Sequence, residues 1–96
     1  MRYEWDDAKD AENRRKHELS LRDGIAALRD PSRLEWIDDR FAYGEERVVT
    51  LGLSGQRLLF VVHTMRTVVD VCRLISVRRA TRRERATYDR VGAGTV

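Results

Sequence analysis

Residues 46–65 read ERVVTLGLSGQRLLFVVHTM, and this stretch decides the fold. Its two halves, 46–53 and 57–65, are rich in valine, leucine and phenylalanine, as β-strands commonly are. The residues between them, Ser54-Gly55-Gln56, have the composition of a three-residue hairpin loop with a glycine. The stretch therefore predicts two consecutive antiparallel strands.

The segments that follow and precede this hairpin add further strands and a helix. Residues 70–77, DVCRLISV, predict a last strand, and residues 33–38 are a weaker strand candidate. Thr81 followed by Glu84 is a capping box, which predicts the start of a final helix over about 82–90.

The N-terminal part of the chain predicts one short strand and one helix. Residues 2–5, RYEW, are a short aromatic strand candidate. Asp6 is typical of a helix N-cap, and the helix over about 7–17 is rich in Ala, Glu, Lys and Arg. We expect this helix to be mostly solvated and to contact the core through Ala8 and Ala11.

A second helix is predicted over about 21–28. The pair Ser20 and Asp23 resembles a capping box at its start, and Asp30-Pro31 ends it because the residue before proline disfavours helix. The resulting order is β-α-α-β-β-β-β-α. This order predicts an α+β fold in which an antiparallel sheet carries its helices on one face.

Length and composition indicate one small domain. The chain has 96 residues and is 42% hydrophobic, so we expect a single globular domain over 1–91 and a flexible tail over 92–96. No apolar run approaches the ~20 residues of a membrane span, and the N-terminus lacks the apolar segment of a secretory signal. The single Cys72 fits a reducing, cytoplasmic setting. One Cys and two distant His, with no pair at ligand spacing, argue against a zinc site.

Charge is divided unevenly along the chain. Residues 1–46 carry nine basic and thirteen acidic side chains, whereas residues 47–96 carry ten arginines and three acids. The run RLISVRRATRRER at 73–85 holds six arginines. Guanidinium is permanently cationic and its planar fork fits phosphate oxygens, so the run indicates a nucleic-acid surface. The alternative is a solvated basic face that keeps the protein soluble.

Several short segments resemble one family, the BrnT ribonuclease toxins of type II toxin–antitoxin pairs. The segments are YEWDDAK at 3–9, RRKH at 14–17, DP at 30–31, GEER at 44–47, VVHT at 61–64 and RLISVRRATRRER at 73–85. Together and in this order they cover the chain from Tyr3 to about Tyr88. Two features depart from the family pattern: Glu18 stands where a glycine usually follows the RKH motif, and the turn after VVHT is longer and lacks glycine.

The resemblance implies a RelE-like fold and an endoribonuclease that cleaves RNA without a metal and inhibits translation. It also implies neutralisation by a cognate BrnA-type ribbon-helix-helix antitoxin, through which the complex binds operator DNA. The RNA substrate is either free or ribosome-bound. No cofactor and no membrane partner are expected.

Metal-independent RNA cleavage needs groups that move protons and groups that hold phosphate charge. Imidazole does the first near neutral pH, and arginine and lysine do the second. The candidate catalytic residues are His17, His63, Arg73 and Lys16. The candidate RNA- and phosphate-binding residues are Arg47, Arg66, Arg78, Arg79 and Arg82.

Each candidate also has a structural explanation. His17 ends a helix, where a cation is favoured by the helix dipole and caps carbonyls. His63 is expected on the strand face of Leu59 and Val61, where it could simply be a hydrogen-bonded strand residue. The arginines of the last helix serve either RNA or an acidic segment of the antitoxin.

Arg73 interrupts an apolar strand, and strict alternation places it on one face with Val71, Ile75 and Val77. A buried guanidinium must be compensated, so it either pairs with Glu45 or Glu46 or lines a phosphate cleft.

The competing function is a non-catalytic nucleic-acid-binding or regulatory subunit that uses the same arginines.

Overall fold

The computed structural model describes residues 1–40, 42, 44–66 and 69–94, with Arg66, Ala93 and Gly94 described by their backbone alone. The elements are β1 (Arg2–Glu4), α1 (Asp7–His17), a 3-10 turn (Leu21–Asp23), α2 (Gly24–Leu28), β2 (Leu34–Ile37), β3 (Val48–Ser54), β4 (Arg57–Arg66), β5 (Val71–Arg79) and α3 (Arg82–Gly94). The predicted α+β class is confirmed. Residues 92–94, expected in the tail, belong to α3.

The strands form one mixed sheet in the order β1-β5-β4-β3-β2. The strands β2 to β5 pair antiparallel, but β1 pairs parallel with β5, over residues 71–73. The prediction of a wholly antiparallel sheet is therefore wrong. Most of the chain separates β1 from β5, and a long connection permits the parallel pairing that a hairpin forbids.

Two hydrophobic cores lie on opposite faces of this sheet. The first packs under the 3-10 turn and α2, and its buried residues are Leu19, Leu21, Ala27, Leu59, Val61, Leu74 and Val77. The second contains Val49, Leu51, Leu58, Phe60 and Val62, with Tyr88 of α3 packed against it. The expectation of helices on one face is thus wrong. Every residue from Leu58 to Val62 is apolar, which is typical of a strand buried on both faces.

The hairpin between β3 and β4 is tighter than expected. Ser54 pairs with Arg57, so the loop consists of Gly55 and Gln56 instead of three residues. Gly55 has φ 63°, which suits the first central position of a two-residue type II′ turn.

A bulge interrupts the pairing of β4 with β5. Val62 pairs with Ser76, but the next residue, His63, pairs with Leu74. An extra residue in one strand shifts its alternation. Leu74 and Val77 consequently both belong to the first core, so Arg73 does not share a face with Val77 as strict alternation predicted.

Towards the turn, the same pair of strands continues with regular pairing. Arg73 pairs with Thr64, and Arg66 pairs with Val71. Residues 67 and 68, at the glycine-free turn, lie outside the described residues.

The helix α1 is held by polar contacts. The Asp6 carboxylate accepts hydrogen bonds from the backbone N–H groups of Ala8 and Lys9 at 2.8 and 3.1 Å, which confirms the predicted N-cap. Ala8 and Ala11 are exposed, so the prediction that they contact the core is wrong. The buried residue of the helix is Asn13.

Asn13 pairs its side-chain amide with the backbone of β5. Its Nδ2 donates to the Val77 carbonyl at 2.9 Å, and the Val77 N–H donates to its Oδ1 at 3.0 Å. The same Nδ2 donates to the Leu19 carbonyl at 2.8 Å. Because β1 pairs with β5 only over residues 71–73, this amide takes the place of a neighbouring strand further along β5.

Asp30, which follows the end of α2 as predicted, connects three elements. Its Oδ2 accepts from the Leu53 N–H at 2.8 Å and from the Tyr88 hydroxyl at 2.6 Å. Burial, and then the hydrogen bond to Asp30, raise the pKa of Tyr88 to about 12. Asp30 thereby fastens α3 to β3. The predicted capping box of α3, Thr81 with Glu84, is confirmed by hydrogen bonds of 2.8 and 3.1 Å.

Candidate functional site

A first cavity of about 200 Å³ lies between the C-terminal half of α1 and β5. Its lining includes Lys9, Glu12, Lys16, His17, Ile75 and Ser76. The basic residues Arg14 to His17 occupy the last turn of α1, where the helix dipole favours positive charge. His17 is half-buried, and Lys16 is exposed with its Nζ 2.7 Å from Oε1 of Glu12.

A second cavity of about 370 Å³ adjoins the first, because Lys9 and Ile75 line both. Its other lining residues are Glu45, Glu46, Thr64, Met65 and Arg73. We call the two cavities together the α1–β5 cleft. The cleft brings together three of the four predicted catalytic residues, namely Lys16, His17 and Arg73.

The cleft holds both cations and carboxylates. Within the described part of the chain, neither Lys9 nor Arg73 has a carboxylate at ion-pair distance, although Glu45 and Glu46 line the same cavity. The hydrogen bond from Lys16 lowers the pKa of Glu12, so that carboxylate is ionised at neutral pH. Lys9 and Arg73 are the cations of this cleft that remain open to a ligand.

Arg73 is half-buried in β5 and faces the second cavity. The sequence left two alternatives for Arg73, an ion pair with Glu45 or Glu46 and a place in a phosphate cleft. The position of Arg73 in the second cavity agrees with the second alternative. Arg47, a predicted phosphate binder, immediately precedes β3, and its Nε lies 3.6 Å from Oε1 of Glu45. It is therefore near the cleft through Glu45 but is not among the lining residues given above.

His63 is in a different environment from His17. It is 4% exposed, its Nε2 lies 2.8 Å from Oγ1 of Thr50, and its Nδ1 lies 3.5 Å from Sγ of Cys72. It faces a third cavity, of about 220 Å³, which Tyr3 also lines and which shares Met65 with the second cavity. Burial lowers the pKa of His63, while the more distant charge of Glu35 acts in the opposite direction. The neutral imidazole is thus favoured.

Cys72 lies beside His63 and is 1% exposed. Burial raises the pKa of its thiol to about 11, which keeps the sulfur protonated. Cys72 is therefore a small, buried residue of β5.

The arginines predicted to bind phosphate do not all gather at the cleft. Arg78 is held by Glu84 through two hydrogen bonds of 2.8 and 2.9 Å, and its guanidinium lies 3.8 Å from the centre of the Phe60 ring. Arg79 and Arg82 are exposed at the far end of β5. Six residues separate Arg79 from Arg73, which corresponds to about 20 Å along a strand.

Arg66 ends β4, and its side chain lies outside the described residues. The predicted set is thus divided among the cleft, the surface beyond it and a structural ion pair.

Lys9 is a cleft residue that the sequence-based reasoning missed. It is the last residue of the YEWDDAK segment, so the resemblance contained its signal. Glu46 was considered only as a partner of Arg73. Glu46 lies in the cleft because it comes close to Lys9 of α1, and no local sequence pattern predicts this long-range contact.

Among the described residues, no group of three or more His, Cys, Asp or Glu side chains is arranged to hold a metal ion. In the same part of the chain, no helix is both long and apolar enough to cross a membrane.

The fold and the cleft define a small α+β protein with a surface cleft in which two cations, Lys9 and Arg73, are open to an anionic ligand such as a phosphate. The sequence model of the family described as "Ribonuclease toxin, BrnT, of type II toxin-antitoxin system" matches residues 5–84. The chain therefore belongs to the BrnT family of ribonuclease toxins, which confirms the resemblance found in its motifs. Membership in a type II system implies RNA as the substrate and an antitoxin as a partner. A comparison with curated proteins gives no match.

Proposed function

We propose that the α1–β5 cleft binds RNA and cleaves one of its phosphodiester bonds without a metal ion. The observation that carries this proposal is the grouping of His17, Lys16, Lys9 and Arg73 along two adjoining cavities. Cations that are open to a ligand attract the phosphate, and an imidazole at the same surface moves a proton.

The reaction is an internal displacement at phosphorus. The 2′-oxygen loses its proton and bonds to the adjacent phosphorus, while the bond from phosphorus to the 5′-oxygen breaks. The leaving 5′-oxygen takes up a proton, so the products are a 2′,3′-cyclic phosphate and a 5′-hydroxyl. The enzyme must accept one proton, donate one proton and stabilise the charge that develops on the phosphate oxygens.

The cleft offers groups for all three tasks. His17 is suited to be the acid, because its imidazole lines the first cavity at the end of α1. Glu46 is a carboxylate in the second cavity that can accept the 2′-hydroxyl proton. Arg73, with Lys9 and Lys16, stabilises the phosphate charge.

His63 has a structural role in this proposal. Its two ring nitrogens face Thr50 and Cys72, and its side chain is nearly sealed from solvent. The exposed residues Arg79 and Arg82 extend the contact with RNA beyond the cleft by neutralising phosphates without base preference.

The cellular consequences extend the proposal along the family's pattern. Cleavage of RNA, free or ribosome-bound, inhibits translation in the cytoplasm. A BrnA-type ribbon-helix-helix antitoxin neutralises the enzyme, and operator DNA is bound through that antitoxin. The small α+β domain takes the RelE-like arrangement.

One observation favours the competing function, a non-catalytic RNA-binding subunit. Of the two histidines, His63 is buried away from the cleft, which leaves a single imidazole for proton transfer. A binder needs the arginines alone.

Incubation of the purified chain with end-labelled RNA, with and without EDTA, separates these functions. We expect cleavage in both samples, with a cyclic phosphate on the 5′ fragment. Tight binding with intact RNA in both samples would support the binder, and cleavage abolished by EDTA and restored by Mg²⁺ would contradict the metal-free mechanism.

A further inference from the structure

A groove runs between β2 and α3, at the opposite edge of the sheet from β1. Its first part, about 380 Å³, is lined by Trp36, Leu51, Arg83, Glu84 and Thr87. Its second part, about 240 Å³, is lined by Pro31, Ser32, Arg33, Leu34, Val91 and Gly92. We call both parts together the β2–α3 groove.

The spacing of the lining residues shows that the two parts lie end to end. Leu34 and Trp36 are two residues apart on β2, so they share one face of the strand. Arg83, Thr87 and Val91 are four residues apart, so they share one face of α3. Eight residues of helix correspond to about 12 Å, the length of roughly four residues of extended chain.

The groove and the edge strand β2 that borders it leave large apolar side chains uncovered. Trp36 is 42% exposed, Ile37 on the other face of β2 is 52% exposed, and Val91 of α3 is 41% exposed. In the described sheet, β2 pairs only with β3, so its outer edge offers backbone hydrogen-bonding groups. Exposed edge strands with uncovered apolar side chains are sites where another chain adds a strand.

The charge of the groove selects an acidic occupant. Arg83 is exposed, and among the described residues no carboxylate lies at ion-pair distance from its guanidinium. Glu84, which also lines the groove, is neutralised by Arg78, whose hydrogen bond lowers the pKa of that carboxyl. Ten arginines against three acids in residues 47–96 give this half of the chain a net positive charge.

We propose that an extended, acidic segment of the antitoxin adds to the outer edge of β2 and places apolar side chains in the β2–α3 groove. The inference rests on membership in a type II toxin–antitoxin family, and it is independent of how the α1–β5 cleft acts on RNA. Three strand spacings, about 14 Å, separate β2 from β5, so this docking surface is distinct from the cleft.

Calorimetric titration of the purified chain with its cognate antitoxin tests the proposal. We expect Arg83→Glu to weaken binding about tenfold or more, because the carboxylate of the antitoxin then meets a like charge. Arg85→Glu is the matched control: it makes the same charge change on an exposed position of the same helix, on the face away from the groove. We expect its Kd to stay within about twofold of the unchanged chain.

A second variant tests the apolar part of the surface. Trp36→Ala is expected to weaken binding by a similar factor, with circular dichroism confirming that the fold is kept. If Arg83→Glu and Arg85→Glu weaken binding equally, the loss reflects the net charge of the helix and not the groove. That outcome would overturn the proposal. Unchanged binding in both Arg83→Glu and Trp36→Ala would overturn it as well.

Two parallel measurements identify the other possible occupants. Light scattering of the chain without antitoxin reports a dimer if a second copy covers β2, and a dimer that Trp36→Ala dissolves would overturn the proposal. Cleavage of RNA without antitoxin is compared between the unchanged chain and Arg83→Glu. A loss of cleavage there would assign Arg83 to the RNA surface instead, whereas a failure of the cleft mechanism leaves the antitoxin titration unaffected.

Discussion

Both histidines of this chain lie in segments that resemble family motifs, RRKH at 14–17 and VVHT at 61–64, but their environments in the fold are opposite. His17 ends α1 and lines an open cleft, while His63 lies within β4 and is 4% exposed. Neighbouring cations surround the first, whereas a hydroxyl and a thiol surround the second. The comparison teaches that the position of an imidazole in the fold, more than its motif, decides whether it is available for proton transfer.

The largest effect should come from His17, the histidine that lines the open cleft. We expect His17→Ala to lower the rate of RNA cleavage about a hundredfold or more, because general acid–base catalysis contributes that much. RNA binding should change far less, since the arginines and lysines remain. Single-turnover cleavage and a filter-binding assay measure the two quantities. Arg29→Ala, an exposed basic residue outside the cleft lining, is the control, and equal losses in both variants would remove His17 from the site.

Asn13 helps to position His17, because it holds α1, the helix that ends at His17, against β5. We expect Asn13→Ala to reduce the free energy of unfolding by about 3 kcal/mol, because it leaves the N–H and carbonyl of Val77 and the carbonyl of Leu19 without their partner. Chemical denaturation measures this loss. Lys9→Ala is the control, because Lys9 is an exposed residue of the same helix. We expect it to leave the free energy of unfolding nearly unchanged. A loss below about 0.5 kcal/mol for Asn13→Ala would show that α1 is held otherwise.

The buried side of the comparison predicts a dependence on pH. Burial lowers the pKa of His63 below its ordinary 6.5 in the folded chain. The unfolded chain therefore takes up a proton first as the pH falls, and stability decreases below about pH 6.5. We expect His63→Gln to flatten the unfolding free energy between pH 7 and pH 5 while retaining cleavage by the folded molecules. Denaturation at several pH values tests this, and a lost cleavage activity in a folded variant would return His63 to the catalytic set.

The smallest expected effect concerns the turn that leaves His17. Glu18 adopts φ 58°, a left-handed conformation that costs free energy for residues with a side chain. We expect Glu18→Gly to stabilise the chain by about 0.5–1 kcal/mol, seen as a higher Tm. Glu4→Gly, a glycine placed in a strand, should lower it. An unchanged or lower Tm for Glu18→Gly would mean that the side chain of Glu18 contributes contacts of its own.

Local signals predicted most of the elements of this fold. Asp6 and Thr81 caps, the Asp30-Pro31 stop and the apolar strands around Gly55 all lie where the sequence indicated. The parallel pairing of β1 and the bulge after Val62 depend on contacts between distant segments, so no local pattern contains them. The unbroken apolar run of β4 indicated a strand buried on both faces, and therefore a second core. The prediction missed this core because it assumed that only one face of the sheet is covered by helices.

The candidate site was predictable in part. Lys16 and His17 follow from their position at a helix end, and Arg73 from the cost of burying a lone cation. His63 could not be assigned from sequence, because its burial depends on which strands flank β4. The role of Arg78 as a phosphate binder stays a prediction. Its pairing with Glu84 was not predicted, because the two residues lie on either side of a turn and the same carboxylate serves both a capping box and an ion pair.

The side-chain amide of Asn13 has one further consequence. A strand edge with free N–H and carbonyl groups invites other chains to join it and grow into aggregates. By occupying those groups at Val77, a single side chain blunts one border of the sheet against such self-association. At Val77 the sheet therefore offers no template on which strands of other molecules could stack.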